Sequence, residues 1–235
     1  MQSQRIVWGT FSNAENLIFV MIEDTTSARM IITYHEAACI RVGAGDTTLV
    51  FGPVSKKSKE YKPTNFGADI ACISFNHPDM NGADEAKRGD KTPFLIYGPG
   101  EYEVLNVTVS GFVARSSWGG EEKINTVYVV SFDGLSLLYL GALGKAELPK
   151  EVLAMDPPDI LIIPVGGAGA LSPSEAHKLC VNLEPKIIVP ILHDEKTLKQ
   201  FLKEAGEEGA PREEKLTLKP KDVIGKEGDV VVLTT

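Results

Sequence analysis

Three runs of the chain are apolar without alternation: Ile70-Ala71-Cys72-Ile73, Ile160-Leu161-Ile162-Ile163 and Ile187-Ile188-Val189-Pro190-Ile191. A strand with one wet face alternates polar and apolar residues, so unbroken runs this short read as strands buried on both faces. Such strands need a layer of structure on each side. Between residues 30 and 140 the other elements read as short strands joined by turns. Cys39–Val42 and Thr47–Phe51 flank a Gly43-Ala44-Gly45-Asp46 turn, and Phe94–Ile96 and Val107–Val109 flank a Gly98-Pro99-Gly100-Glu101 turn. Val127–Phe132 and Leu135–Leu140 flank Asp133-Gly134, a dipeptide that favours a two-residue hairpin.

Beyond residue 140 strands alternate with helices. Ala146–Met155 reads as a helix ended by Asp156-Pro157-Pro158. Ser172-Pro173-Ser174-Glu175 has the signature of a helix start: a capping serine, proline at the first position and a glutamate three residues on. Glu195–Ala205 reads as a third helix and Asp229–Leu233 as a last strand. The pattern implies an α/β protein with mixed sheets at its centre and helices outside, and two such halves suit a four-layer α-β-β-α sandwich. Residues 1–29 read as an N-terminal extension or added strand (Leu17–Ile22), ahead of a main domain over 30–235.

Bulk properties narrow the function. The net charge of −8 leaves no surplus of Lys and Arg for a nucleic-acid backbone. No apolar run approaches the ~20 residues of a membrane span. Cys39, Cys72 and Cys180 are odd in number and widely spaced, which suits free thiols in a reducing compartment and a cytoplasmic location. With no G-x-S-x-G elbow and both strand cysteines in apolar runs, a nucleophile is hard to find.

The stretch Ile73-Ser74-Phe75-Asn76-His77-Pro78-Asp79-Met80-Asn81 leaves one of the buried strands and enters a polar loop. Its placement resembles the S-H-x-H-x-D-H motif of metallo-β-lactamase-fold hydrolases. Further stretches resemble the branch containing ascorbate-6-phosphate lactonase-like metal-dependent hydrolases: Ile32–Cys39, Thr47–Pro53, Gly98-Pro99-Gly100-Glu101-Tyr102-Glu103-Val104, Leu140-Gly141-Ala142-Leu143-Gly144, Ile162–Gly167, and Pro185–Pro190 leading to His193. The order matches from residue 30 to 233. The resemblance implies the four-layer fold, a dinuclear metal centre and a hydrolase lineage.

The ligand positions depart from that pattern together. Phe75 and Met80 stand where two histidines belong. Ala37 stands at an early site histidine, Gly52 at an aspartate, and Ala142 at the aspartate that bridges the metals. The region Ala114–Ser117 lacks its histidine, and His193 sits one residue too far along. The family's centre takes about five histidines, and a catalytic site keeps at least three protein ligands. Four histidines in the whole chain, with His177 inside a helix, leave His35, His77 and His193.

The expectation is therefore a catalytically silent or non-standard member without the dinuclear centre or a resident cofactor, acting by binding a small molecule or a protein partner. The alternative is a hydrolase of a phosphorylated or lactone-type substrate, with catalytic His77, Asp79 and His193, metal-free or holding one zinc or manganese ion there. His35, Asn76 and Asp194 are the candidates to contact substrate. Glu101 and Glu103 read as structural, and Asn76, Asp79 and Asn81 also suit turn and helix caps.

Overall fold

The computed structural model describes residues 28–235. Six strands make the first sheet: β1 (Met30–Tyr34), β2 (Ile40–Ala44), β3 (Thr47–Phe51), β4 (Ile70–Ile73), β5 (Phe94–Tyr97) and β13 (Leu216–Leu218), in the order β13-β1-β2-β3-β4-β5. Seven make the second: β6 (Gly100–Val104), β7 (Val107–Ser116), β8 (Lys123–Phe132), β9 (Leu135–Tyr139), β10 (Ile160–Pro164), β11 (Ile187–Ile191) and β14 (Asp229–Val230), in the order β14-β11-β10-β9-β8-β7-β6. Each sheet mixes parallel and antiparallel pairs. A small parallel pair joins β12 (Arg212–Glu213) to β15 (Val232–Leu233). The helices α1 (Lys150–Leu153), α2 (Pro173–Leu183) and α3 (Glu195–Ala205) all follow β9.

The unbroken apolar runs now have their explanation. One face of the second sheet, with Tyr128, Val130, Leu137, Tyr139, Ile160, Ile162 and Val189, shares a core with Ile32, Leu49, Phe51, Ile70, Cys72 and Ile96 of the first. The other face, with Leu138, Leu161, Ile163 and Ile188, packs under Ala176, Leu179, Leu183, Leu198, Phe201 and Leu202 of the helices. Alternate residues of β10 therefore enter different cores. Both are apolar, so β10 is apolar throughout. This is the mixed α/β sandwich that the sequence pattern implies.

Local chemistry fixes the connections. Asp133 (φ 49°) and Gly134 (φ 78°) form the left-handed two-residue turn between β8 and β9. Ser172 accepts from the Glu175 backbone N–H, and the Glu175 carboxylate accepts from Ser172 N–H, completing the cap of α2.

Three expectations need correction. The helix read over Ala146–Met155 shrinks to Lys150–Leu153, because Pro149 can start a helix but not continue one. The Gly98–Glu101 turn is shorter than read: Gly100-Glu101 already belongs to β6, and the hairpin turn is Leu105-Asn106 (φ 51° and 61°). The last strand is two, since Val230 pairs with β11 and Val232 with β12. The strand read at Leu17–Ile22 lies outside the described residues.

Candidate functional site

Strand β4 ends at Ile73 and the chain crosses to the second sheet. Ser74 O accepts from Thr126 N–H at 2.7 Å, and Phe75 bridges to Asn125. This fixes the loop from Asn76 to Asn81 at the mouth of the sandwich. His77 Nδ1 lies 3.2 Å from Asp79 Oδ2. Asp79 is 3% exposed and both its oxygens are engaged: the Ser58 hydroxyl donates to Oδ1 at 2.7 Å, and Trp118 Nε1–H donates to Oδ2 at 3.0 Å. The His77 ring is partly exposed and lies against Gly119, where an added Cβ would stand 3.2 Å from Nε2. His77 and Asp79 are thus brought together, with the acid buried behind the imidazole.

The places around them are filled. Phe75 is 1% exposed and Met80 fully buried. Each such side chain gains about 1.5–3 kcal/mol by leaving water. At Gly52 a Cβ would meet Tyr139 Oη at 2.8 Å, so the tyrosine occupies the space of any side chain there. Tyr139 donates to Ala38 O at 2.8 Å and stacks on Phe51 with ring centroids 4.4 Å apart. Burial holds its phenol well above the ordinary range. Ala142, also fully buried, donates its N–H to Asn125 Oδ1 at 3.0 Å, while Asn125 Nδ2 donates to Leu140 O at 2.9 Å. One amide side chain therefore holds the Leu140–Ala142 turn. A Cβ at Gly141 would press on Asn125 Oδ1 at 2.7 Å and Ser74 Oγ at 2.8 Å.

The other candidates stand apart from the pair or serve local structure. His193 packs near Tyr34, ring centroids 6.1 Å apart, and its buried Nε2 has no hydrogen-bond partner. Burial depresses its basicity. Asp194 caps α3, accepting from Thr197 N–H at 2.7 Å. His35 packs against Phe66, ring centroids 4.4 Å apart and planes tilted by 44°, with Nε2 at 2.9 Å from Thr33 Oγ1, and burial, then Arg41, lowers its pKa. Glu36, beside it, accepts from Lys62 N–H. Asn76 accepts from Asn81 Nδ2, which also donates to Tyr97 Oη. Burial pushes the Cys39 thiol up to about 12 and raises Cys72 as well, so neither supplies a thiolate.

A metal centre needs several nitrogen, sulfur or carboxylate donors converging on one point. Among the described residues no group of three or more His, Cys, Asp or Glu is so placed. His193 Nε2 is buried without a hydrogen-bond partner and has no ligand set around it among the described residues. Asp79 is occupied by its donors, and Phe75 and Met80 bring no ligand. The residues present do not fit the dinuclear group.

Residues 31–192 match the model of the beta-lactamase superfamily domain. The chain belongs to that family. It is 24% identical over 176 residues to a UPF0173 metal-dependent hydrolase of Natranaerobius thermophilus, covering 65% of this chain and 78% of that one. It is 27% identical over 157 residues to a UPF0173 metal-dependent hydrolase of Thermococcus onnurineus, covering 55% and 69%. Among solved structures, a Thermotoga maritima protein assigned to the Zn-dependent hydrolases of the metallo-β-lactamase superfamily is 29% identical. It superposes with a TM-score of 0.68 over 88% of this chain and all of that one. A protein of Parabacteroides distasonis assigned to the metal-dependent hydrolases, 16% identical with a TM-score of 0.64, shares the fold.

For a member of the beta-lactamase superfamily, the informative residues here are those that sequence reasoning missed: Ser58, Trp118, Asn125 and Tyr139. Trp118 follows the Ala114–Ser117 stretch where a site histidine was expected. An indole N–H immediately after a missing ligand is a usable signal for a carboxylate held by neutral donors. Tyr139 acts across the sandwich and Asn125 on the turn that follows the neighbouring strand β9, and nothing in their own stretches of sequence announces it.

Proposed function

We propose that this chain is a beta-lactamase superfamily member in which packing replaces the dinuclear metal centre, and that it acts by binding a small molecule or a protein partner. The observation that carries the reading is the burial of Phe75 and Met80 beside an Asp79 whose two oxygens both accept from neutral donors. An apolar side chain at a ligand position removes a donor and fills the space of the metal and its water. The net charge of −8 opposes a nucleic-acid partner. No helix among the described residues is long and apolar enough to cross a membrane. Three buried free thiols suit a reducing compartment such as the cytoplasm. The test is metal content by plasma mass spectrometry, after growth with added zinc, manganese and iron. No metal above background is expected. About one metal per chain, lost in His77→Ala, would overturn the reading and restore a mononuclear centre.

One contact favours a second reading. Asp79 Oδ2 lies 3.2 Å from Nδ1 of a partly exposed His77, which also accepts from Asp79 N–H at 3.3 Å, and a carboxylate beside an imidazole is a pair able to exchange protons with a substrate. This reading makes the chain a metal-free hydrolase of a small phosphorylated or lactone-type substrate. Turnover of p-nitrophenyl phosphate or a simple lactone that disappears in both His77→Ala and Asp79→Asn would support it. Turnover equal to that of either variant would reject it.

A further inference from the structure

The C-terminal ends of α2 and α3 meet over the start of β11, at the end of the second sheet away from the loops around His77. An open cavity of about 530 Å³ lies there. Its floor is apolar, with Cys180, Val181, Pro185, Ile188 and Ala205, and Val181 is left 60% exposed. Its rim is acidic and comes from three separate segments: Glu184 at the end of α2, Glu207 just after α3, and Glu227 in the turn before β14. The lysines closest in sequence to Glu184 and Glu227 are committed elsewhere, Lys186 to Asp159 at 2.6 Å and Lys226 to Asp229. Glu184 also breaks two rules of helix ends at once. It closes α2 at φ 47°, its N–H donating to Cys180 O, in a left-handed position that glycine fills best. It sets a carboxylate at the negative end of a helix whose last turn has no basic residue. Helix α3 ends the usual way, with Gly206 at φ 72° and Lys203 in its last turn. A residue unsuited to its helix on both counts, at the rim of an apolar cavity, points to a cation from outside the chain.

We propose that this cavity binds a linear alkyl polyamine, its methylenes on the apolar floor and its ammonium groups on Glu184, Glu207 and Glu227. The lining selects this chemistry among cations. A metal ion needs donors that converge on one point, and among the described residues no group of three or more His, Cys, Asp or Glu does so. A quaternary ammonium is recognised by aromatic faces, and no Phe, Tyr or Trp lines the cavity. One ammonium answers one carboxylate and leaves the others unmatched. A chain of ammonium groups spaced by methylenes meets acids carried on separate segments and covers the apolar surface between them, including the exposed face of Val181. The volume lies in the range of small-molecule sites. Both helix C-termini add negative potential at the same place.

Titration calorimetry of the full chain with spermidine, at about 150 mM salt to screen diffuse attraction, tests it. One site with a dissociation constant on the order of 100 μM is expected. 1,4-Diaminobutane should bind more weakly than spermidine, and butylamine more weakly still. Glu184→Gln and Glu227→Gln should each weaken spermidine roughly two- to fivefold, as exposed ion pairs do. Val181→Lys, which sets an ammonium in the cavity from an exposed position, should weaken it at least about tenfold. Glu60→Gln removes the same charge from an exposed loop remote from the cavity and should change nothing. The helix end has its own readout. Glu184→Gly should raise the thermal midpoint without spermidine and reduce the rise that spermidine gives. No heat of binding at millimolar spermidine would overturn the proposal. So would equal losses in Glu184→Gln and Glu60→Gln, or displacement of spermidine by magnesium at the same ionic strength, since either would mean attraction to net charge alone. A midpoint lowered by Glu184→Gly would show that Glu184 serves its helix, and would remove the argument for a cation there.

Discussion

Asp79, in the stretch that resembles the metal motif, has a structural role that can be read from its partners. A buried carboxylate costs free energy unless its lone pairs are satisfied, and here a hydroxyl and an indole N–H satisfy them. Asp79→Ala strands both donors. Chemical denaturation should show a loss of about 1–3 kcal/mol, with Trp118 fluorescence shifted to the red as its ring loses its anchor. A residue that served only as a metal ligand would show no such loss in metal-free buffer. His193 gives a second expectation at this scale. Its folded pKa lies below the ordinary value of 6.5, so between those two values the unfolded chain binds the extra proton. Stability from this group is complete above pH 6.5 and declines as pH falls through the window beneath it. His35 acts in the same direction. Thermal midpoints measured from pH 7.5 to 5 should fall, and His193→Gln should flatten the fall. An unchanged slope in that variant would place the dependence elsewhere. Asp159, whose carboxyl is held below its ordinary range by the Lys186 ammonium and Ser136, adds its own loss only below about pH 4.

Among the elements, those with self-contained signals were legible in the sequence. The Asp133-Gly134 turn needs two left-handed residues, and its dipeptide states as much. Helix α2 announces its start through Ser172, Pro173 and Glu175, and it begins where they place it. The reciprocal cap makes a direct prediction. Ser172→Ala should cost about 0.5–2 kcal/mol in denaturant melts, and Ser172→Asn should recover most of it. Equal losses in the two variants would mean that the side chain packs rather than caps. What the sequence concealed depended on partners far along the chain. Leu105-Asn106 has no glycine to mark it as a turn, yet the long pairing of β7 with β8 and of β6 with β7 forces left-handed backbone there. The candidate site was half legible for the same reason. The departures at the ligand positions could be counted from the sequence, but the residues that pack against those positions, Trp118, Asn125 and Tyr139, come from strands and turns of the second sheet.

At the scale of the whole molecule, the two sheets meet beside the stretch that resembles the family's metal motif, and a common core runs through that junction. Phe75, Met80, Ala142 and Tyr139 belong to the same apolar cluster as the inner faces of both sheets. The junction is held by hydrogen bonds that cross it: Tyr139 to Ala38 O, Tyr128 to Ile73 O at 2.7 Å, and Thr126 N–H to Ser74 O. If packing has replaced metal as the link between the halves, two outcomes follow. Chelation should not move the thermal midpoint, because a ligand stabilises only a fold that binds it. Putting the ligands back should also fail. Phe75→His, Met80→His and Ala142→Asp made together remove two large apolar groups and place a carboxylate at a fully buried position whose neighbouring amide is already committed to Asn125. Cavity and charge costs of this kind reach several kcal/mol, so the triple variant should unfold at lower denaturant than the parent and bind no zinc in equilibrium dialysis. A triple variant that bound zinc and melted higher with it would show the opposite: a centre whose scaffold survives, closed only by the side chains at its ligand positions.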